Sequence, residues 1–190
     1  MNINKLLVKV AILVFVVFGA WHLSCAVWIA GKAYAASFLI NDAWQKTLRN
    51  KHVNKPWSWA DTWPVAQITI QSIGLDEIVL AGDSGASLAF GPGLSYAGAS
   101  LDEDGIKLIS GHRDTHFSKL KNININDVIF VKTPLEYKQY KVKDIGIVDS
   151  RTHLIETDEI SYDLVLATCY PFNSVSSGGS ERFIVEAVEL

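Results

Sequence analysis

YDLVLATCYPFNSVSSGGSERFIVEAVEL, residues 162–190, reads as two strands around a loop. YDLVLATC (162–169) is apolar and rich in strand-forming residues, and the Tyr170-Pro171 pair ends it, since proline cannot donate to a sheet ladder. Pro171, Gly178 and Gly179 mark the loop 170–180, and ERFIVEAVEL (181–190) turns apolar again. Upstream lie five segments of the same kind: VAQITI (65–70), DEIVLA (76–81), IKLIS (106–110), DVIFVKT (127–133) and EYKQYKVKDIGIVDS (136–150). Gly-Pro-Gly at 91–93 and SSGGS at 176–180 read as loops, and DTHFSKL (114–120) leaves room for a helical turn or two. Short strands at this spacing, with few helical patterns between them, predict an all-β domain over 65–190 that closes into a barrel.

The head of the chain differs in kind. Between Lys9 and Lys32 the run VAILVFVVFGAWHLSCAVWIAG carries no formal charge, and His22 and Ser24 are its polar interruptions. About 20 apolar residues in a helix span a hydrocarbon core of ~30 Å, so residues 1–36 are expected to form a single transmembrane anchor. The run is long for a cleaved secretory signal, and the residues before Cys25 do not form a lipoprotein box. Lys5 and Lys9 precede the span, Lys32 follows it, and the first of the chain's 20 acids is Asp42. That bias places the N-terminus in the cytoplasm and the body outside the inner (cytoplasmic) membrane, in the periplasmic or extracytoplasmic space. Residues 33–52 continue with Phe38, Leu39, Ala43 and Leu48 near helical spacing, and Lys55-Pro56 stops the helix. Residues 37–64 are thus expected to be a stalk and linker. Its PWSWADTWP segment carries Trp57, Trp59 and Trp63, suited to clamping onto a domain surface or a membrane interface.

Composition narrows the function classes. With 49% hydrophobic and 19% charged residues the body can bury a core. A net charge of −3 and a pI of about 5.9 argue against a nucleic-acid partner. Two cysteines, Cys25 and Cys169, are too few for a disulfide scaffold.

The body therefore holds one thiol, Cys169, at the end of a strand with a loop in front. Such a place suits a nucleophile, and equally a small buried side chain. Four body histidines are candidate proton partners: His52 in the stalk, His153 in a turn, and His112 and His116 within GHRDTHF after a strand. The spacing of His112 and His116 invites a metal, but no Glu-x-x-His arrangement or second cysteine accompanies them, and no metal or other cofactor is expected. Asp102, Glu103 and Asp104 read as a solvated loop in preference to a calcium site. Arg182 opens the final strand, either as an edge arginine or as a permanent cation able to hold a carbonyl or oxyanion.

Taken together, a membrane-anchored N-terminus, GHR-x-T-x-F (Gly111 to Phe117), a strand ending L-x-T-C (Leu166 to Cys169) and R-F-x-V (Arg182 to Val185) resemble the sortases. PWSWADTWPVAQI with a single span looks most like the sortases of marine Gram-negative proteobacteria. One departure is visible: Val165 stands where the family commonly has threonine. The resemblance implies a closed eight-stranded β-barrel with short helices, and cysteine transpeptidation. It implies Cys169 as nucleophile, His112 as general acid/base, Arg182 as the substrate-orienting or oxyanion-stabilising cation, and Thr168 as a substrate-binding residue beside the cleft. The partners it implies are a protein substrate bearing a C-terminal sorting signal, an amine acceptor and the membrane. An anchored barrel whose cysteine is core, and a thiol peptidase that hydrolyses without transfer, are the alternatives the residues themselves leave.

Overall fold

A computed structural model describes residues 3–152, 162–174 and 178–190 of the chain. It falls into two units, Met1–Phe38 and Leu39–Leu190. Helix α1 runs Ile3–Asn50. Within the first unit the large side chains are exposed all round, Phe15, Phe18, Trp21 and Trp28 among them. Its polar interruption is satisfied internally, as Ser24 Oγ donates to Ala20 O at 2.8 Å. Among the described residues one helix is long and apolar enough to cross a membrane, with a mean hydropathy of 2.3 over its most apolar window.

The second unit begins with the last turns of α1. The side chains buried there are Ile40, Ala43, Trp44 and Thr47, spaced i, i+3, i+4 and i+7. The expected face of Phe38, Leu39, Ala43 and Leu48 is therefore rotated: Phe38 is 66% exposed, and the large Trp44 takes the inward position. The helix ends before Pro56, at Lys51 with φ 60°. The linker then packs along the barrel, where Thr62 Oγ1 donates to Ala81 O at 2.7 Å and the Ala81 amide to Trp63 O at 2.8 Å. Trp57 meets Phe90 edge to face at 5.4 Å, while Trp59 stands 83% exposed.

The strands are β1 (Pro64–Ile70), β2 (Leu75–Ala81), β3 (Gly93–Leu94), β4 (Lys107–Gly111), β5 (Val128–Lys132), β6 (Tyr137–Asp149), β7 (Leu164–Cys169) and β8 (Glu181–Glu189). A short helix α2 (Gly85–Leu88) lies between β2 and β3, and a 3-10 turn at Ser118–Asn122 sits in the segment expected to be helical. The order β1-β2-β3-β4-β7-β8-β6-β5 closes on itself through the pairing of β5 with β1. Seven of the eight strands match the apolar segments of the sequence. The eighth, β3, lies in the Gly-Pro-Gly stretch read as a loop. Glycine is required there by space, since a Cβ on Gly93 would lie 2.2 Å from Gly82 O. The two-residue strand pairs in parallel with β2 (Leu80↔Gly93) and antiparallel with β4 (Gly93↔Ser110).

Alternation divides each strand between a filled interior and an outer face. Ile68, Ile109, Ile129, Val142, Leu166 and Val185 meet inside with Phe117 and Leu120. Each such side chain contributes on the order of 1.5–3 kcal/mol on leaving water. The outer faces of β4, β7, β8 and β6 are left to carry the site.

Candidate active site

β4 and β7 run parallel, so both end at the same rim of the barrel. Gly111 pairs with Thr168, so His112, the first residue after β4, and Cys169, the last of β7, follow at that level. Antiparallel pairing of β7 with β8 sets Cys169 directly against Arg182. Three residues scattered over a span of 71 positions, from 112 to 182, are thus gathered by register alone. All three line one cavity of about 350 Å³ on the outer face.

Each is positioned by a local device. Gly111 is the only residue that fits its place, because a Cβ there would lie 2.7 Å from the buried Phe117 ring. The Phe117 amide donates to His112 O at 3.0 Å, so the segment after β4 folds back and presents His112 at the rim. Thr168 is 2% exposed, and its Oγ1 donates to Gly111 O at 2.7 Å. It belongs to the cavity wall, yet its hydroxyl is committed to locking β4 against β7. Val165, where the family pattern departs, is fully buried in β7.

Cys169 is half-buried with a free thiol. Arg182 Nη1 donates to Gly179 O at 2.7 Å and to Glu181 O at 2.9 Å, and its other N–H groups make no hydrogen bond among the described residues. That leaves a fork for an incoming oxygen. Arg113 reaches the other loop wall, donating from Nη2 to Ser174 O at 3.2 Å. Phe172 packs edge to face on Phe183 at 5.1 Å and anchors the same loop to the barrel. At the far side Ser150 Oγ donates to Ser180 O at 2.8 Å. Beside it the Arg151 guanidinium, by side-chain and backbone hydrogen bonding, holds the exposed Asp149 carboxyl well below the usual carboxylate range.

The remaining wall is largely apolar. Leu108, Ala167 and Ile184 face out beside Ser110, and Leu88 of α2 closes one side together with Asp83. Alternation counted from Cys169 and Arg182 leads to Ala167 and Ile184. No periodicity leads to Asp83 or Leu88, which arrive from a loop and a four-residue helix.

His116 is not part of this assembly. Its Nδ1 lies 3.0 Å from Glu77 Oε2, an ion pair when the ring is protonated. No group of three or more metal-ligating side chains occurs among the described residues. His153 lies outside the described residues, as do 175–177 of the loop after β7.

The Sortase domain family model matches residues 68–190. The chain belongs to the sortase family. It is similar to Sortase D of Bacillus subtilis, 32% identical over 85 residues, an alignment spanning 44% of this chain and 42% of that relative. The chain thus matches less than half the length of that curated relative. Among solved structures, the Clostridium perfringens Sortase D5 transpeptidase superposes with a TM-score of 0.62 at 18% identity, covering 83% of this chain and 99% of that one. Sortase A from Corynebacterium diphtheriae gives 0.58 at 20% identity over 85% and 91%. Sortase C2 of Group B Streptococcus Pilus Island 1 gives 0.58 at 25% identity over 67% and 74%. The closed eight-stranded barrel expected of this sortase is the fold observed.

Proposed function

We propose that this sortase is a membrane-anchored cysteine transpeptidase acting on proteins that carry a C-terminal sorting signal. The observation that carries the reading is the register that brings Cys169, His112 and Arg182 to one cavity. Cys169 as thiolate attacks the carbonyl carbon of the scissile peptide bond. The Arg182 guanidinium receives the developing oxyanion, and the His112 imidazolium protonates the departing amine as the C–N bond breaks. A thioester on Cys169 remains. An acceptor amine then attacks it, the C–S bond breaks, the sulfur leaves as thiolate and His112 takes the proton released by nitrogen. Thr168 supports this chemistry by holding β4 and β7 in register beside the bound peptide. Apolar Leu108, Ala167 and Ile184 offer a dry floor for the sorting signal.

The test is a trapped intermediate. Incubating the enzyme with candidate peptides and quenching in acid should give a thioester adduct located to Cys169 by mass spectrometry. Adding an amine to the unquenched reaction should divert the acyl-enzyme from hydrolysis to amide. An adduct on another residue, or none with any peptide, overturns the reading.

The same proposal places the N-terminus in the cytoplasm and the barrel across the inner membrane, supported by Lys5 and Lys9 ahead of the apolar run and the acids that begin at Asp42. A reporter fused after Leu190 is expected to be active only if it is one that works outside the cytoplasm. Alkaline phosphatase silent and a cytoplasmic reporter active would reverse the orientation.

A further inference from the structure

We infer that Asp83 is the docking group for the ammonium of the acceptor substrate, an inference that rests on the transpeptidase reading above. Asp83 lies on the wall of the cavity that holds Cys169, His112 and Arg182, and it is the one carboxylate among the described lining residues. Among the described residues it makes no hydrogen bond and no ion pair. Three other carboxylates of the barrel are engaged, Glu77 with His116, Asp149 with Arg151, and Asp76 with Gln67 and Thr69. Asp83 faces the site with its acceptor oxygens unused.

Its backbone is held firmly. The preceding Gly82 has φ +76° and its amide donates to Leu94 O at 2.9 Å. The following Ser84 caps α2, accepting from the Ser87 amide at 3.2 Å. Packing of Trp57 on Phe90 backs the end of that helix. The carboxylate is half-buried beside Leu88, so its charge is less screened than that of a surface acid.

The chemistry of the second half-reaction supplies the ligand. Near pH 7 an acceptor α-amine or lysine amine is mostly protonated. It must approach a cavity that already holds the Arg182 guanidinium, an unfavourable neighbour for a cation, while His112 is neutral after giving its proton to the leaving amine. A carboxylate on the wall of the same cavity offsets that charge locally. The bound ammonium sheds one proton to water, and its nitrogen then forms the C–N bond while the thioester C–S bond breaks. The sulfur leaves as thiolate, and the second proton passes to His112. Water has no charge for Asp83 to attract, so the carboxylate favours transfer over hydrolysis.

The experiment acylates the full-length enzyme in detergent micelles with an N-acetylglycyl aryl thioester, which transfers its acyl group to Cys169 by thiol exchange. Partition of the acyl-enzyme is then followed near pH 7 against triglycine, which presents a terminal ammonium, and hydroxylamine, which is largely uncharged there. Asp83→Asn should raise the triglycine concentration that diverts half the product by about tenfold, the loss of one charge-assisted contact. Its acylation rate and its response to hydroxylamine should match wild type, which also shows that the variant is folded. An unchanged triglycine dependence overturns the inference while leaving the enzyme a transpeptidase. Slower acylation in Asp83→Asn places the carboxylate on the donor side and overturns it too. If wild type forms no acyl-enzyme at Cys169, the underlying reading falls and this one with it.

Discussion

Cys169→Ala is expected to abolish acyl transfer, by ~10⁴-fold or more, without unfolding the barrel. The reacting sulfur is the only atom lost, and no arrangement of His112 and Arg182 replaces a covalent intermediate. The fold has little at stake in that sulfur. Cys169 is half-buried at the end of β7, faces outward, and the interior positions of the strand are filled by Leu164 and Leu166. A change outside the core typically moves stability by less than ~1 kcal/mol. Peptide turnover, thioester trapping and a thermal melt decide the matter together. Cys25→Ala is the companion control, because the other thiol of the chain lies in α1 and should be silent. Residual transfer in Cys169→Ala would assign the nucleophile elsewhere. A collapsed melt would make Cys169 a core residue.

Arg182→Lys is expected to be nearly as damaging as Arg182→Ala, each losing ~10² in rate or ~3 kcal/mol of transition-state stabilisation. The reason lies in how the guanidinium is held. One nitrogen is tied to Gly179 O and Glu181 O, which fixes the plane of the group on the residue paired with Cys169. Lysine carries the charge on a flexible stem and cannot grip two carbonyls and an oxyanion at once. Saturating-substrate rates for both variants, with circular dichroism as the folding control, separate the possibilities. Near-normal Lys with dead Ala would mean that Arg182 acts by charge alone. Full activity in both would reduce it to an edge arginine.

Much of this molecule is legible in its residues, and the parts that are not have physical causes. Seven strands announce themselves as runs rich in Val, Ile and Tyr, several of them stopped by Gly or Pro. β3 does not, because a strand of two residues has no period, and its glycine is chosen for contact with Gly82. Cys169, His112 and Arg182 can be nominated one by one from strand ends, but their proximity depends on a parallel pairing of β4 with β7 that composition does not encode. Threonine before the cysteine looks like a cleft residue, and its hydroxyl turns the other way, to Gly111. The stalk shows helical spacing, yet which stripe faces inward is decided by the bulk of Trp44. Asp83 and Leu88 enter the site from a segment without periodicity.

The position of β8 has a consequence for how this protein comes into being. It is the last of the eight strands in the chain, yet its place is between β7 and β6, and it carries Arg182. A nascent polypeptide, emerging N-terminus first, therefore makes β6 and β7 before the strand that lies between them. Until that segment fills the gap, β7 and β6 lack the strand that joins them. Closure depends on partners distant in sequence, β1 with β5 and β4 with β7, and such topologies fold in milliseconds to seconds. The order of synthesis thus leaves the closing of the barrel, and the seating of Arg182 beside Cys169, to the last strand made.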